Sequence, residues 1–140
     1  MEKIIVTEEK LHELFEAAMQ ASKLSYSPYS RFPVGAAILT CDGRVFTGCN
    51  IENRSFGLTN CAERTAMFNA VTEGATRISA VAIATPKSDY PVGPCGACRQ
   101  VLTEFGDGDV PVIFGPKIEN LVRTTLAELY PYDSLHELAD

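Results

Sequence analysis

The N-terminal part of the chain carries apolar residues at the three- and four-residue spacing of a helix. Residues at this spacing share one face, so the pattern predicts an amphipathic helix with one buried side. Thr7 precedes the pattern and is followed by Glu8 and Glu9. A capping hydroxyl and acids in the first turn are typical of a helix start. The repeated positions are Leu11, Leu14, Phe15, Ala18, Met19 and Ser22.

Beyond this helix, short apolar runs alternate with further helical segments. Asp42-Gly43 separates two of the runs and is a strong hairpin signal, while Gly74 and Gly106 end two helices. The predicted strands are 34–40, 45–49, 78–85, 111–115 and 121–125, the predicted helices are 61–73, 95–105 and 126–129, and the predicted loops are 26–33 and 50–60. The order α-β-β-α-β-α-β-β-α predicts an α/β sandwich around a mixed sheet.

Composition indicates a single globular domain over residues 1–140, because 46% hydrophobic and 21% charged residues are ordinary for soluble proteins. No apolar run approaches the ~20 residues of a membrane span, and the first residues lack the apolar segment of a signal peptide. The five cysteines are odd in number, which argues against a disulfide framework and suits a reducing compartment. We therefore expect a cytoplasmic protein without a membrane partner.

The charge of the chain disfavours a nucleic-acid partner. The formal net charge is −6, and the 12 basic residues are scattered singly along the sequence. Binding to a polynucleotide usually needs a cluster of Lys and Arg, because phosphate contacts supply most of the non-specific affinity. A DNA or RNA strand is therefore not the expected substrate.

Cysteines at two places in the sequence form the pattern of a metal site. Cys61 would open one helix, and Cys95 and Cys98 would share a face in the first turn of another, where the helix dipole favours thiolates. Three protein ligands leave the fourth position of tetrahedral Zn²⁺ open for water, and Glu63 is placed to move the protons of that water. The pattern predicts one catalytic zinc per chain and hydrolytic chemistry. Three thiolates would leave the site with a net charge of about −1, and Arg64 is the nearest candidate cation.

A Cys-x-x-Cys pair alone would also fit a redox pair or half of a zinc ribbon. A ribbon needs a second pair, but Cys41 lies at the hairpin turn and Cys49 at the far end of the next strand. At ~3.3 Å per residue the two are too far apart to share one ion, so both are predicted to be small buried hydrophobic residues. His12 lies off the apolar helix face and His136 near the C-terminus, and neither is predicted to bind the metal.

Several motifs in the same order resemble the cytidine deaminases of the small, homotetrameric, three-cysteine class. The similarity spans roughly residues 7–132, and the matching motifs are 26–30 with Phe32, 34–37, Gly48 with 50–53, 61–66 and 94–101. The resemblance implies a three-layer α/β/α sandwich around a mixed five-stranded sheet. It also implies hydrolytic deamination of cytidine and 2′-deoxycytidine in pyrimidine salvage, with Zn²⁺ held by the three cysteines.

The resemblance further implies a role for each motif residue. Glu63 would move the protons of the reaction at C4 of the cytosine ring. Asn50 and Glu52 would hold the ribose, since an amide and a carboxylate one residue apart project on the same side of an extended segment. The implied contacts to the base come from the Phe32 ring and the Ala62 backbone. The Gly93 carbonyl would face the leaving ammonia.

The chain departs from the family pattern at two places that are expected to enclose the substrate. Phe56 stands where the family often has tyrosine, so a hydroxyl contact to the substrate or a neighbouring subunit is missing. The family's C-terminal Leu-Leu-Pro-x-x-Phe is replaced by Leu-Tyr-Pro-Tyr-Asp-Ser at 129–134, and Tyr132 or Leu135 is the candidate substitute for the phenylalanine. The resemblance implies a homotetramer in which these segments complete the site of an adjacent subunit.

Three other functions fit parts of the pattern. A deaminase for a cytosine nucleoside antibiotic would share the zinc site, but intact Asn50 and Glu52 favour an ordinary ribose. A non-catalytic zinc-stabilised binding module has no use for Glu63. A deaminase that edits polynucleotides is disfavoured by the acidic charge and the short loops.

Overall fold

The computed structural model describes residues 4–133 and Leu135, and within them one five-stranded sheet lies between two layers of helices. The elements are α1 (Glu8–Ser22), β1 (Gly35–Thr40), β2 (Val45–Cys49), α2 (Ala62–Thr72), β3 (Ile78–Ala84), α3 (Gly96–Phe105), β4 (Pro111–Gly115), β5 (Val122–Thr125) and α4 (Leu126–Leu129). Their order confirms the prediction, and the predicted ends differ from the observed ones by one residue at most. The predicted loop 50–60 contains one short 3₁₀ turn, Phe56–Leu58.

The sheet is mixed, with strand order β2-β1-β3-β4-β5. β3 and β4 pair in parallel, whereas the other neighbouring strands are antiparallel. The predicted hairpin joins β1 to β2, and Gly43 occupies it with a positive φ of 89°, a conformation that favours glycine. The parallel pair is formed through α3, as expected for a crossover connection.

Residues of β1 and β3 are buried on both faces, which explains why these strands are apolar throughout rather than alternating with polar residues. Ala36 and Ile38 belong to the core cluster that includes α2 and α3. Ala37 and Leu39 belong to the second cluster, which includes α1. Helices therefore cover both faces of the sheet, and the predicted three-layer α/β/α arrangement is confirmed.

Two glycines allow the helices to approach the sheet closely. A Cβ atom on Gly35 would lie 1.9 Å from the carbonyl oxygen of Ala18 in α1. A Cβ atom on Gly48 in β2 would lie 2.4 Å from the amide nitrogen of Ala66 and 2.8 Å from the carbonyl oxygen of Ala62. The second approach fixes the first turn of α2 against the end of β2.

The described helices are short. None of them is both long and apolar enough to cross a membrane.

Candidate metal centre

The first turns of α2 and α3 bring three cysteine side chains together. Cys61 is the N-cap of α2, Cys95 is the N-cap of α3, and Cys98 lies one turn further along α3. The Sγ atom of Cys95 lies 3.8 Å from that of Cys61 and 3.4 Å from that of Cys98. The backbone N–H of Cys98 also donates to the Sγ atom of Cys95 over 3.4 Å. The sulfur atoms therefore lie at the N-terminal ends of two helices, where the helix dipole is positive.

The spacing of the sulfur atoms fits a zinc ion. Two Zn–S bonds of about 2.3 Å at a tetrahedral angle place their sulfur atoms about 3.8 Å apart. All three Sγ atoms lie within 4.8 Å of one another. Three ligands of this kind leave one of the four tetrahedral positions for water or substrate, which is the arrangement of catalytic zinc sites.

The other predicted candidates lie away from this cluster. Among the residues that the structure describes, no other group of three His, Cys, Asp or Glu side chains brings its ligand atoms together. His12 contacts Glu8 and Arg123 on the surface. His136 lies outside the described residues.

Cys41 and Cys49 do not join the metal cluster, but the prediction that they are buried was wrong because both are half-buried. The Cys41 Sγ atom accepts a hydrogen bond from the Ser79 hydroxyl over 3.3 Å. Cys49 ends the edge strand β2, whose outer side pairs with no other named strand among the described residues.

The Arg64 side chain reaches the cysteine cluster. Its Nη2 atom donates to the Sγ atom of Cys61 over 3.3 Å. A hydrogen bond from the Cys98 thiol, and then the bond from Arg64, lower the pKa of Cys61 to about 5 although burial opposes the change. The pKa of Cys98 is raised, first because its proton is donated to Cys61 and then because the residue is buried. Cys61 is therefore the thiol of the pair that ionises more readily.

The Glu63 side chain is buried beside the sulfur cluster, with 4% of its surface exposed. Burial raises the pKa of its carboxyl group to about 7, and the negative charge of Cys61 adds to the rise. A hydrogen bond with Cys98 and the charge of Arg64 act in the opposite direction. A carboxyl group with a pKa near neutrality can both accept and release a proton, as a general acid–base residue must.

Asn50 and Glu52 lie on one short extended segment next to the loop 26–33. Ile51, between them, bridges to Tyr26 on one side and to Asn60 on the other. The Asn50 side chain is buried, with 8% exposure. Glu52 Oε1 accepts from the backbone N–H groups of Tyr29 and Ser30. The predicted extended geometry of this pair is therefore present.

The remaining predicted site residues differ in how far they are buried. Ala62 is fully buried under the first turn of α2, and Phe32 is half-buried. Gly93 precedes Pro94 and lies against the Phe114 ring, which an added Cβ atom would approach to 3.3 Å. Phe56 is 72% exposed and packs edge-on against Tyr29, with ring centroids 5.6 Å apart.

Comparison with known proteins decides the family. The family model of the cytidine and deoxycytidylate deaminase zinc-binding region matches residues 8–114. The chain belongs to the cytidine and deoxycytidylate deaminase family. A cytidine deaminase of Sporosarcina psychrophila is 46% identical over 121 residues, which cover 86% of this chain and 88% of the relative. A second, of Halalkalibacterium halodurans, is 49% identical over 118 residues, covering 84% and 89%.

The fold agrees with the sequence match. The crystal structure of cytidine deaminase from Burkholderia pseudomallei superposes with a TM-score of 0.81 at 45% identity, covering 86% of this chain and 95% of the other. The predicted family, the α/β fold and the enzyme class, a zinc-dependent cytidine deaminase, are confirmed.

Four hydrogen bonds around the site of this deaminase were not predicted from the sequence. Ser25 lies directly before the predicted loop 26–33 and donates its hydroxyl proton to Asn50 Oδ1, and Ser30, within that loop, donates its hydroxyl proton to Glu52 Oε2. Arg99 donates from Nε to the Pro94 carbonyl over 2.8 Å and from Nη1 to the Leu129 carbonyl over 3.0 Å. The signal for the serines was present as hydroxyls in a turn-rich segment, which commonly bond nearby polar groups.

Proposed function

We propose that this deaminase converts cytidine and 2′-deoxycytidine to uridine and 2′-deoxyuridine with release of ammonia, as a single-domain cytoplasmic enzyme of pyrimidine salvage. The observation that carries the proposal is the buried Glu63 carboxyl beside the converging sulfur atoms of Cys61, Cys95 and Cys98. A metal site with a free position next to a residue able to exchange protons near neutral pH is suited to hydrolysis.

Zinc would be held by the three cysteines, and when bound it lowers the pKa of water so that a nucleophile is available near neutral pH. Glu63 would accept a proton from that water, deliver it to N3 of the cytosine ring, and then help to protonate the departing amine. Burial supports this role, because it raises the pKa of Glu63 to about 7, and a carboxyl group with such a pKa can both accept and release a proton near neutral pH. Arg64 would offset the negative charge of the thiolates.

Recognition of the nucleoside would divide between two groups of residues. Asn50 and Glu52 would bind the sugar, because together they offer a donor and an acceptor on one side of an extended segment. Phe32 would pack on the pyrimidine, while the backbone at Ala62 and the Gly93 carbonyl would contact the edge of the base and the leaving ammonia. Asn50 and Glu52 also disfavour free cytosine as a substrate, because their polar groups would stay unpaired in the absence of a sugar.

The assembly that we propose is a homotetramer in which neighbouring subunits close each other's site. Phe56 and Tyr132 support it, since they are 72% and 93% exposed in the isolated chain. Aromatic side chains are enriched in the interfaces between protein chains. A closed assembly with two-fold axes is the usual arrangement for such oligomers.

The test is an assay of ammonia release from cytidine, 2′-deoxycytidine, cytosine, CMP, single-stranded DNA and a cytosine nucleoside antibiotic under the same conditions. We expect the two nucleosides to react at least about 100-fold faster than cytosine, since unpaired buried polar groups in a sugar site reject analogues strongly. Zinc-loaded protein that releases ammonia from none of them would contradict the proposal and favour a non-catalytic zinc module. A preference for the antibiotic or for DNA would replace the proposed substrate.

A further inference from the structure

The Glu52 carboxylate is already engaged by the loop 26–33. Its Oε1 atom accepts from the backbone N–H groups of Tyr29, over 3.0 Å, and Ser30, over 3.2 Å. Its Oε2 atom accepts from the Ser30 hydroxyl in a short hydrogen bond. A carboxylate oxygen has two lone pairs. These contacts therefore fill Oε1 and leave a single acceptor position, on Oε2.

The Asn50 amide is engaged in the same way. Its Oδ1 atom accepts from the Ser25 hydroxyl and from the backbone N–H of Val34, the latter over 2.9 Å. Its Nδ2 atom donates one proton to the Phe32 carbonyl over 2.9 Å. Two donors on Oδ1 and an acceptor facing Nδ2 set the orientation of the amide. One N–H group is left to bind a ligand.

The free positions on the two side chains are thus one donor, on Asn50, and one acceptor, on Glu52. A single hydroxyl placed between them would satisfy both, because its oxygen accepts while its proton is donated. An ether, a fluorine or a hydrogen at the same place satisfies at most one. Recognition of the sugar hydroxyl therefore depends on how the Glu52 carboxylate is oriented.

We propose that Ser30 is a positioning residue for sugar recognition, whose hydroxyl holds Glu52 Oε2 so that its one free acceptor position faces a hydroxyl of the substrate. The inference rests on the proposed function, since it assumes that Asn50 and Glu52 bind the nucleoside sugar. Ser30 acts through Glu52 and does not itself contact the reacting atoms.

The hydrogen bonds around Ser30 explain why its hydroxyl can position the Glu52 carboxylate. The Ser30 oxygen accepts from the backbone N–H of Phe32 over 3.1 Å while its proton goes to Glu52. The hydroxyl therefore has a fixed direction and joins the proposed sugar contact to the backbone of the proposed base contact. Bonds led by that of the Ser30 hydroxyl also lower the pKa of Glu52, which keeps the carboxylate ionised and able only to accept.

The experiment compares three single variants of the zinc-loaded enzyme on cytidine and cytosine. We expect S30A to lower kcat/KM for cytidine about 10- to 100-fold, the usual value of a hydrogen bond to a charged group, with cytosine changed less than about twofold. S30T keeps the hydroxyl and should restore the cytidine rate. S88A is the matched control, because Ser88 also bonds within its own loop, to Tyr90, without contacting Glu52.

A double-mutant cycle tests whether Ser30 acts through Glu52. In an E52A background the effect of S30A should vanish, since the carboxylate that the hydroxyl positions is gone. The proposal would be overturned by an unchanged ratio of cytidine to cytosine rates in S30A, or by a failure of S30T to restore the wild-type ratio. It would also be overturned by a full S30A effect in the E52A background, or by loss of zinc or of folded protein in S30A. Wild-type enzyme without cytidine activity would instead overturn the proposed function.

Discussion

The guanidinium group of Arg64 donates a hydrogen bond to the Sγ atom of Cys61 over 3.3 Å. The two residues lie three positions apart at the start of α2, so helix geometry alone brings them together. The Nε atom of Arg64 is buried and has no hydrogen-bond partner among the described residues. The hydrogen bond to Cys61 raises the pKa of Arg64, and the bond to Cys98 and the negative charges of both residues add to the rise although burial opposes it.

Replacement of Arg64 should therefore weaken the metal site. We expect R64Q to bind zinc about 10- to 100-fold less tightly, because residues that support metal ligands typically contribute this much. Zinc competition with a chelator measures the change. R77Q serves as the control, since Arg77 pairs with Asp107 through its guanidinium group and takes no part in the sulfur cluster. Equal zinc affinity in R64Q and wild type would show that the helix ends alone compensate the thiolates.

The ligand set makes a separate prediction for metal content. We expect about one zinc per chain in the wild type, and loss of tightly held zinc in C95A, since a tetrahedral site with two protein ligands is weak. H12A should keep its zinc because His12 contacts Glu8 and Arg123 instead. Metal analysis of the purified variants decides the matter. Full zinc retention in C95A would exclude Cys95 as a ligand.

Replacement of Glu63 should lower turnover without loss of zinc, unlike replacement of a metal ligand. E63Q keeps the size and burial of the side chain but cannot carry a proton, so we expect normal zinc content with kcat lowered by about 10²–10⁴-fold or more. Single-turnover rates and metal analysis on the same preparation measure both effects. Turnover near the wild-type rate in zinc-loaded E63Q would remove Glu63 from the proton transfers.

The order of elements and the metal cluster were predictable from the sequence for different reasons. Apolar periodicity marks each helix and strand, and Gly74 and Gly106 mark helix ends. The cysteines were predictable because fixed spacing at helix starts places Cys95 and Cys98 together whatever the rest of the fold does. The position of β1 between β2 and β3 could not be predicted, because it depends on contacts between residues that are distant in sequence.

The network around Asn50 and Glu52 was also beyond the sequence. A hydroxyl in an irregular loop has no periodicity from which its direction can be deduced, so the partners of Ser25 and Ser30 emerge only from the folded loop. The half-buried state of Cys49 has a similar origin, because whether a residue of an apolar strand is covered depends on that strand's place at the sheet edge.

Because β2 and α2 are in close contact, we expect one substitution in β2 to change both the free energy of unfolding and the affinity for zinc. A Cβ atom at position 48 would meet backbone atoms of Ala62 and Ala66 at 2.8 and 2.4 Å, so the first turn of α2 must shift. We expect G48A to lower the free energy of unfolding by about 1–3 kcal/mol and to weaken zinc binding, because Cys61 caps the same turn.

Urea unfolding at fixed zinc concentration, together with chelator competition, measures both effects of G48A. G57A is the matched control, since an added Cβ atom at Gly57 has no neighbour within 4 Å and its φ lies outside the positive region. Similar stability and zinc affinity in G48A, G57A and wild type would mean that the described approach of α2 to β2 is not maintained in solution.

Activity should depend on the assembly of several chains. In the single chain, the aromatic ring of Tyr132 is 93% exposed, the side chain of Leu135 is 49% exposed, and Phe56 is covered mainly by one edge of Tyr29. Since exclusion of water strengthens the electrostatic interactions of an active site, a neighbouring subunit that covers this region should raise turnover. We expect a homotetramer by light scattering and a loss of specific activity on dilution below its dissociation constant, with zinc retained.

The variant Y132A tests the C-terminal segment directly. If Tyr132 enters the site of an adjacent subunit, its removal should lower kcat/KM while zinc content and the unfolding midpoint of the single chain stay unchanged, because the side chain contributes little to its own subunit. Y90A is a suitable control, as Tyr90 is another exposed tyrosine, at 67%, in a loop that precedes the metal ligands. Monomers with full activity at high dilution would show that each chain closes its own site and that residues 130–135 have no role in a neighbouring subunit.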